Sequence, residues 1–150
     1  MKIFNLRDQL IRDESNREWL YDDATGKTIR TGDGIVGKIS GGVGHNFQAR
    51  PLSHAVRELL LDEDIADHSA ELFVRFPWAR TLDDARQGVL LNMIFNLGGA
   101  GLAAFKNTLE AVRVGHYTLA AEMMLQSKWA RQVGNRADRL AEQMRSGQWQ

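Results

Sequence analysis

Cysteine is absent from the 150 residues, which excludes a disulfide framework, a thiolate zinc site and a cysteine nucleophile. Net charge is absent too. Nineteen Lys and Arg balance nineteen Asp and Glu, so the global basic footprint of a nucleic-acid-binding protein is missing. No apolar run approaches the length needed to span a bilayer, and no stable membrane insertion is expected. The first eight residues, Met1 to Asp8, carry charges where a signal peptide needs its apolar stretch. The expectation is a chain made in the cytoplasm without an export signal of its own. Proline occurs twice, at Pro51 and Pro77, and each ends a segment.

What remains is an ordinary soluble globule of single-domain size, 43% hydrophobic and 25% charged. Charge is graded along it. Residues 101–150 hold seven basic and four acidic groups, with Arg131, Arg136 and Arg139 close together, and a solvated helix face accounts for them. Ile3, Leu6, Leu10 and Ile11 fall at helical spacing and predict a short helix over residues 3 to 13, with Glu14 at its end. Seven of the fourteen glycines then lie between Gly26 and Gly44, among Thr28, Ile29, Ile35, Val36, Ile39 and Val43. That texture predicts short strands in a small antiparallel sheet. Ser53 is a fair N-cap for a helix of about twenty residues that Pro77 stops. Thr81, Asp83 and Asp84 mark another helix start, and Leu82 to Leu97 reads as a buried central helix broken at Gly98 and Gly99. Shorter helices are expected near 102–105, 108–114, 118–126 and 135–145. The architecture is α+β but mostly α: one domain with a sheet lobe over about 14–50, a connecting helix, and a helical lobe over about 78–150 that includes the N-terminal helix. A groove between lobes suits an extended ligand.

Two nucleotide-binding patterns fail on context. Gly32 to Gly37 fits G-x-G-x-x-G but continues as loop, and Gly26-Lys27-Thr28 lacks the leading glycine of a P-loop. The four histidines, His45, His54, His68 and His116, show no metal-ligand spacing, so no metal site is expected, and with both nucleotide patterns rejected no cofactor is expected either. The carboxylates say more. Glu14 closes a helix, and Asp22 and Asp23 open the sheet eight and nine residues later. Such an arrangement can bring two carboxyl groups to opposite sides of one cleft, as glycoside hydrolysis requires.

With Arg12-Asp13-Glu14-Ser15, Tyr21-Asp22-Asp23 and Ser40-Gly41-Gly42-Val43-Gly44-His45, the chain resembles the phage-type lysozymes, the glycoside hydrolase family of T-even phage endolysins. Leu91 to Gly98, Phe105 to Leu109, Ser127-Lys128-Trp129, Gly134 to Ala137 and Arg145 to Trp149 are similar to later family motifs in the same order. The resemblance implies a two-lobed lysozyme fold and hydrolysis of the β-1,4 bond between N-acetylmuramic acid and N-acetylglucosamine in peptidoglycan. By position it makes Glu14 the general acid, has Asp23 hold and help activate water, and puts Ser40 where the family uses threonine. It implies glycan contacts at Phe95 and Thr108, Arg136 near the catalytic glutamate, and an acid at Asp64 facing His45. It further implies a monomer acting on glycan strands without nucleic acid, and reaching the wall from the cytoplasm through a holin-type membrane protein. A place in a virion is another option. The rivals are a lytic transglycosylase on the same fold, against which Asp23 argues, and a catalytically silent wall-binding module. Ser15 stands for the family's glycine, and Asn46 and Met123 for its leucine and asparagine. Ser40 follows Asp23 by seventeen positions, a longer connection than in the family prototype.

Overall fold

The structure is a computed structural model that describes residues 3–14 and 16–150, with side chains from Leu6 onward. Met1, Lys2 and Ser15 lie outside the described residues. The chain forms two compact units, Met1–Glu58 and Leu59–Gln150. Among the described residues there are seven α-helices and one three-stranded antiparallel sheet, the mostly-α composition expected of the sequence.

The first unit opens with α1 (Ile3–Glu14), whose length matches the helical spacing of its apolar residues. Strand β1 (Arg17–Asp22) follows, then β2 (Ile39–Gly42) and β3 (His45–Asn46), in the order β1-β2-β3. Tyr21 pairs with Ser40 and Asp22 with Ile39, while Ser40 pairs onward with Asn46. An irregularity between Arg17 and Tyr21 shifts the register. Of the β-prone pieces expected between Thr28 and Val36, only a single bridge from Tyr21 to Thr28 forms. Side-chain carboxylates take backbone N–H groups at both ends of the stretch: Asp33 that of Arg30, and Asp22 those of Val36 and Gly37.

Helix α2 (His54–Arg75) begins where the Ser53 hydroxyl accepts from the Val56 N–H at 3.3 Å, and the boundary between the units falls within it. In the second unit a short 3-10 helix (Pro77–Thr81) precedes α3 (Asp84–Ala103). Asp83, not Thr81, caps α3: its extended backbone aims the carboxylate at the Arg86 N–H, 2.9 Å away. The Thr81 hydroxyl is spent on the Trp78 carbonyl. Gly98 interrupts α3 with φ 70° and ψ 164°, a conformation reserved for glycine, so the expected break is there. Helices α4 (Lys106–Arg113), α5 (Tyr117–Gln126), α6 (Lys128–Val133) and α7 (Asn135–Ser146) complete the unit.

Helix α6 was not expected. No glycine or proline separates it from α5. Ser127 ends one helix and starts the next, its hydroxyl accepting from the Ala130 N–H. The core is built around α3: Leu72, Val89, Leu90, Met93, Ile94, Leu102, Val112, Met124 and Met144 are fully buried. Polar side chains bind its rim. Arg86 donates to the carbonyls of Met144 and Arg145 at the end of α7 and lies 3.7 Å above the Tyr117 ring. Buried Gln143 donates to the Ala85 carbonyl.

Candidate active site

Four of the expected site residues, Glu14, Asp23, Ser40 and His45, fall in the first unit. Glu14 is the last residue of α1. Its carboxylate rests against the turn that joins β2 to β3: a β-carbon at Gly44 would stand 3.2 Å from Glu14 Oε2. Gly42 and Gly44, on either side of Val43, have φ of +58° and +66°, the left-handed region that glycine enters without strain. The turn is therefore tight enough, and bare enough, to receive the carboxylate.

Ser40 sits on β2 immediately before this turn and is buried. His45 opens β3. Its Nε2 lies 3.3 Å from the Arg50 carbonyl and its ring meets Phe47 edge-on at 4.8 Å, contacts that hold the chain just after the strand.

The adjacent aspartates separate into two roles. Asp22 is buried, and its oxygens accept from the N–H groups of Ala24, Val36 and Gly37 at 2.8 to 3.0 Å. The Val36 N–H does most to hold its carboxyl below the usual carboxylate range; burial opposes this, and Gly37, Ala24 and Thr25 add to the lowering. Asp23 is exposed. Its Oδ1 accepts from the Lys38 N–H at 2.6 Å while its own N–H donates to the Lys38 carbonyl. Asp22 is thus consumed by structure, and Asp23 is the carboxylate left facing solvent. Sequence spacing could not distinguish them, although a doubled aspartate at a strand end, with glycine fourteen to fifteen positions on, is the available signal.

Asp64, Phe95, Thr108 and Arg136 fall in the second unit. Phe95 on α3 is 39% exposed and stacks edge-on with His68, 4.6 Å between centroids. It lines a 380 Å³ pocket with Leu61, Ile65, Asn92, Arg136 and Trp149. Thr108 is buried beside a different hollow of 530 Å³, shared with Phe105, Lys106, Met123 and Ser127. Phe95 and Thr108 therefore line separate recesses of the unit. Arg136 is forked onto Asn92, at 2.8 Å from Nε and 2.6 Å from its terminal nitrogen to the same Oδ1. One turn along α3, Asn96 accepts from the Trp129 indole N–H at 2.8 Å. Asn92 and Asn96, four apart in an apolar helix, act as polar anchors that the sequence marks only by an amide pair at that spacing. Among the described residues, no cluster of three or more histidines and carboxylates could hold a metal.

No family profile matches the chain. It is 25% identical to "Probable T4-type lysozyme 2" of Dictyostelium discoideum over 166 residues, covering 97% of this chain and 96% of that protein. It is 22% identical to "Probable T4-type lysozyme 1" of the same organism, with the same coverage of each. It is also 28% identical to the pre-baseplate central spike protein Gp5 of Enterobacteria phage T4, over 91% of this chain but 27% of that protein. Matched over nearly its whole length by two such relatives, though at low identity, the chain is T4-lysozyme-like.

Proposed function

We propose that the protein is a muramidase, a glycoside hydrolase that cleaves the β-1,4 bond between N-acetylmuramic acid and N-acetylglucosamine in peptidoglycan. The observation that carries this reading is the approach of the exposed Glu14 carboxylate to Gly44 in the β2–β3 turn, in the same unit as solvent-facing Asp23 and buried Ser40. Cleavage needs a proton for the leaving oxygen and a water aimed at the anomeric carbon. Glu14 supplies the first. Asp23, with one oxygen on Lys38, has the second for water, and the Ser40 hydroxyl can both accept from and donate to that water. With Asp23 holding water for direct attack the anomeric centre is inverted, whereas a retaining site would use its carboxylate as nucleophile.

Phe95, Thr108 and Arg136 then serve glycan binding and charge balance, and His45 supports the hairpin through its contact with the Arg50 carbonyl. The biological role in this reading is host cell lysis by a monomeric endolysin, released to the periplasm by a holin-type membrane protein. The match to a segment of the phage T4 central spike favours one second reading, a virion-borne enzyme that opens the wall from outside.

The test is digestion of purified peptidoglycan followed by mass analysis. Reducing N-acetylmuramic acid ends are expected, and Glu14→Gln should lower their release by several orders of magnitude while the fold stays cooperative. Anhydro-sugar ends would identify a transglycosylase. Binding to the wall without any cleavage would identify a silent binding module. A tenth or more of wild-type activity in Glu14→Gln would refute the assignment of the acid.

A further inference from the structure

We infer that Asp22 is a positioning residue for Asp23: it fastens the far end of the Asp23–Ser40 connection back onto the end of β1 and thereby fixes the carboxylate that holds the attacking water. The inference deepens the muramidase reading and rests on it. The two aspartates are neighbours, but they grip different points of one returning segment. Asp22 takes the N–H groups of Val36 and Gly37, and Asp23 takes that of Lys38. Three consecutive amides are thus bound by two consecutive carboxylates.

The segment approaches closely because Gly37 has no side chain. A β-carbon there would stand 2.2 Å from Asp23 Oδ1 and 2.6 Å from both the β-carbon and the nitrogen of Ala24. The other end of the connection is closed as well: the Asp22 N–H donates to the Lys27 carbonyl, and the Gly26 N–H to the Asp22 carbonyl. Without the Asp22 carboxylate, Val36 and Gly37 lose their acceptor, and Lys38 loses the neighbours that hold it. Asp23 Oδ1 would then be tied to a loose strand of chain. Hydrogen bonds from amides to an ionised, buried carboxylate are the strong kind, so this clamp outweighs the pull of a wandering loop.

The experiment is a double-mutant cycle on soluble, uncrosslinked glycan strands, with Asp22→Asn made in the wild type and in Asp23→Asn. Asp22→Asn presents an amide group to backbone N–H groups that need acceptors. In the wild type it should lower kcat by roughly tenfold to a hundredfold, the scale of an ångström-sized displacement in an active site, with KM little changed. In Asp23→Asn it should cause no further loss, because its only route to the chemistry has gone. A second variant, Val36→Pro, removes one donor to Asp22, spares the carboxylate and covers the case in which Asp22→Asn fails to fold. It should show a smaller loss with the same non-additivity. Equal losses in both backgrounds would reduce Asp22 to a general stabiliser and overturn the inference, as would unchanged kcat in a folded Asp22→Asn. Wild-type activity in Asp23→Asn is a different failure: it would overturn the water-holding role of Asp23 and the inference with it, while Glu14→Gln would still report on the muramidase reading.

Discussion

Gly44 and Gly42 offer a matched pair for testing whether the hairpin turn seats Glu14. Both have positive φ, +66° and +58°, so alanine at either site carries the left-handed backbone penalty of about 1–2 kcal/mol. For a chain of this size that corresponds to a fall in Tm of roughly 2–8 °C. The two sites differ in what the new methyl meets. At Gly42 there is open space, whereas at Gly44 it would lie 3.2 Å from Glu14 Oε2 and 3.7 Å from the carboxyl carbon. The second methyl must push the carboxylate aside by a few tenths of an ångström. Since a misplacement of about 1 Å costs about a hundredfold, this smaller one should cost about three- to tenfold in kcat. The assay is reducing-end release from purified peptidoglycan at 20 °C or below, about where both variants remain folded by circular dichroism. Gly44→Ala should lose activity beyond its stability loss, and Gly42→Ala should not. Equal activities in the two variants would refute the idea that the bare turn positions the acid.

Three further outcomes follow from the same geometry. The folded-state pKa of Asp22 is depressed, so its stabilising contribution is present above the ordinary carboxylate value, about 3.9, and is lost as pH falls through the folded value. The Tm gap between wild type and Asp22→Asn should therefore be widest near neutrality and should close below about pH 4; a gap independent of pH would contradict the clamp. Asn92→Ala should remove the Oδ1 that accepts both prongs of the half-buried Arg136 fork, leaving the Asn92 carbonyl at 3.2 Å, and destabilise the protein by about 1–3 kcal/mol, read as a Tm loss of several degrees. An unchanged Tm would mean that water replaces the amide. Ser40→Thr, which restores the β-branch that limits χ1, should maintain or raise the rate, and Ser40→Ala should lower it. Early-time NMR of a β-linked glycan should then show the α-anomer first, and initial β-anomer would contradict water activation by Asp23 and Ser40.

Much of this was legible in the sequence because it is written in local terms. The spacing of Leu6, Leu10 and Ile11, Pro77 and the Gly98 break each act within a few residues, and the elements lie where they point, whereas the glycine-rich stretch gives β2 and β3 but only one bridge between Thr28 and Val36. Long-range polar bonds were not legible. Nothing near Asp22 says that its partners are Val36 and Gly37, and nothing near Asn92 or Asn96 names Arg136 and Trp129. Helix α6 is hidden for a related reason: Ser127 sets the boundary through its hydroxyl and N–H, without the glycine or proline that marks the starts of α5 and α7. For the candidate site, motif order nominates Glu14, Asp23 and Ser40. The division of labour between Asp22 and Asp23 needed the returning segment in place.

The fork of Arg86 onto the end of α7 has a consequence for the order in which the protein can be finished. Its carbonyl acceptors on Met144 and Arg145 lie 58 and 59 residues further along the chain. At about 5–20 residues per second, a ribosome needs roughly 3–12 s to make them after Arg86 itself. Through that interval the guanidinium has a local companion in Asp83, the residue that caps its own helix. Tyr117, whose ring lies beneath the guanidinium in the finished structure, is made about halfway through it. The cap thus doubles as a holding partner during synthesis: the start of the central helix can form with its charge already matched and exchange water for the α7 carbonyls when they arrive.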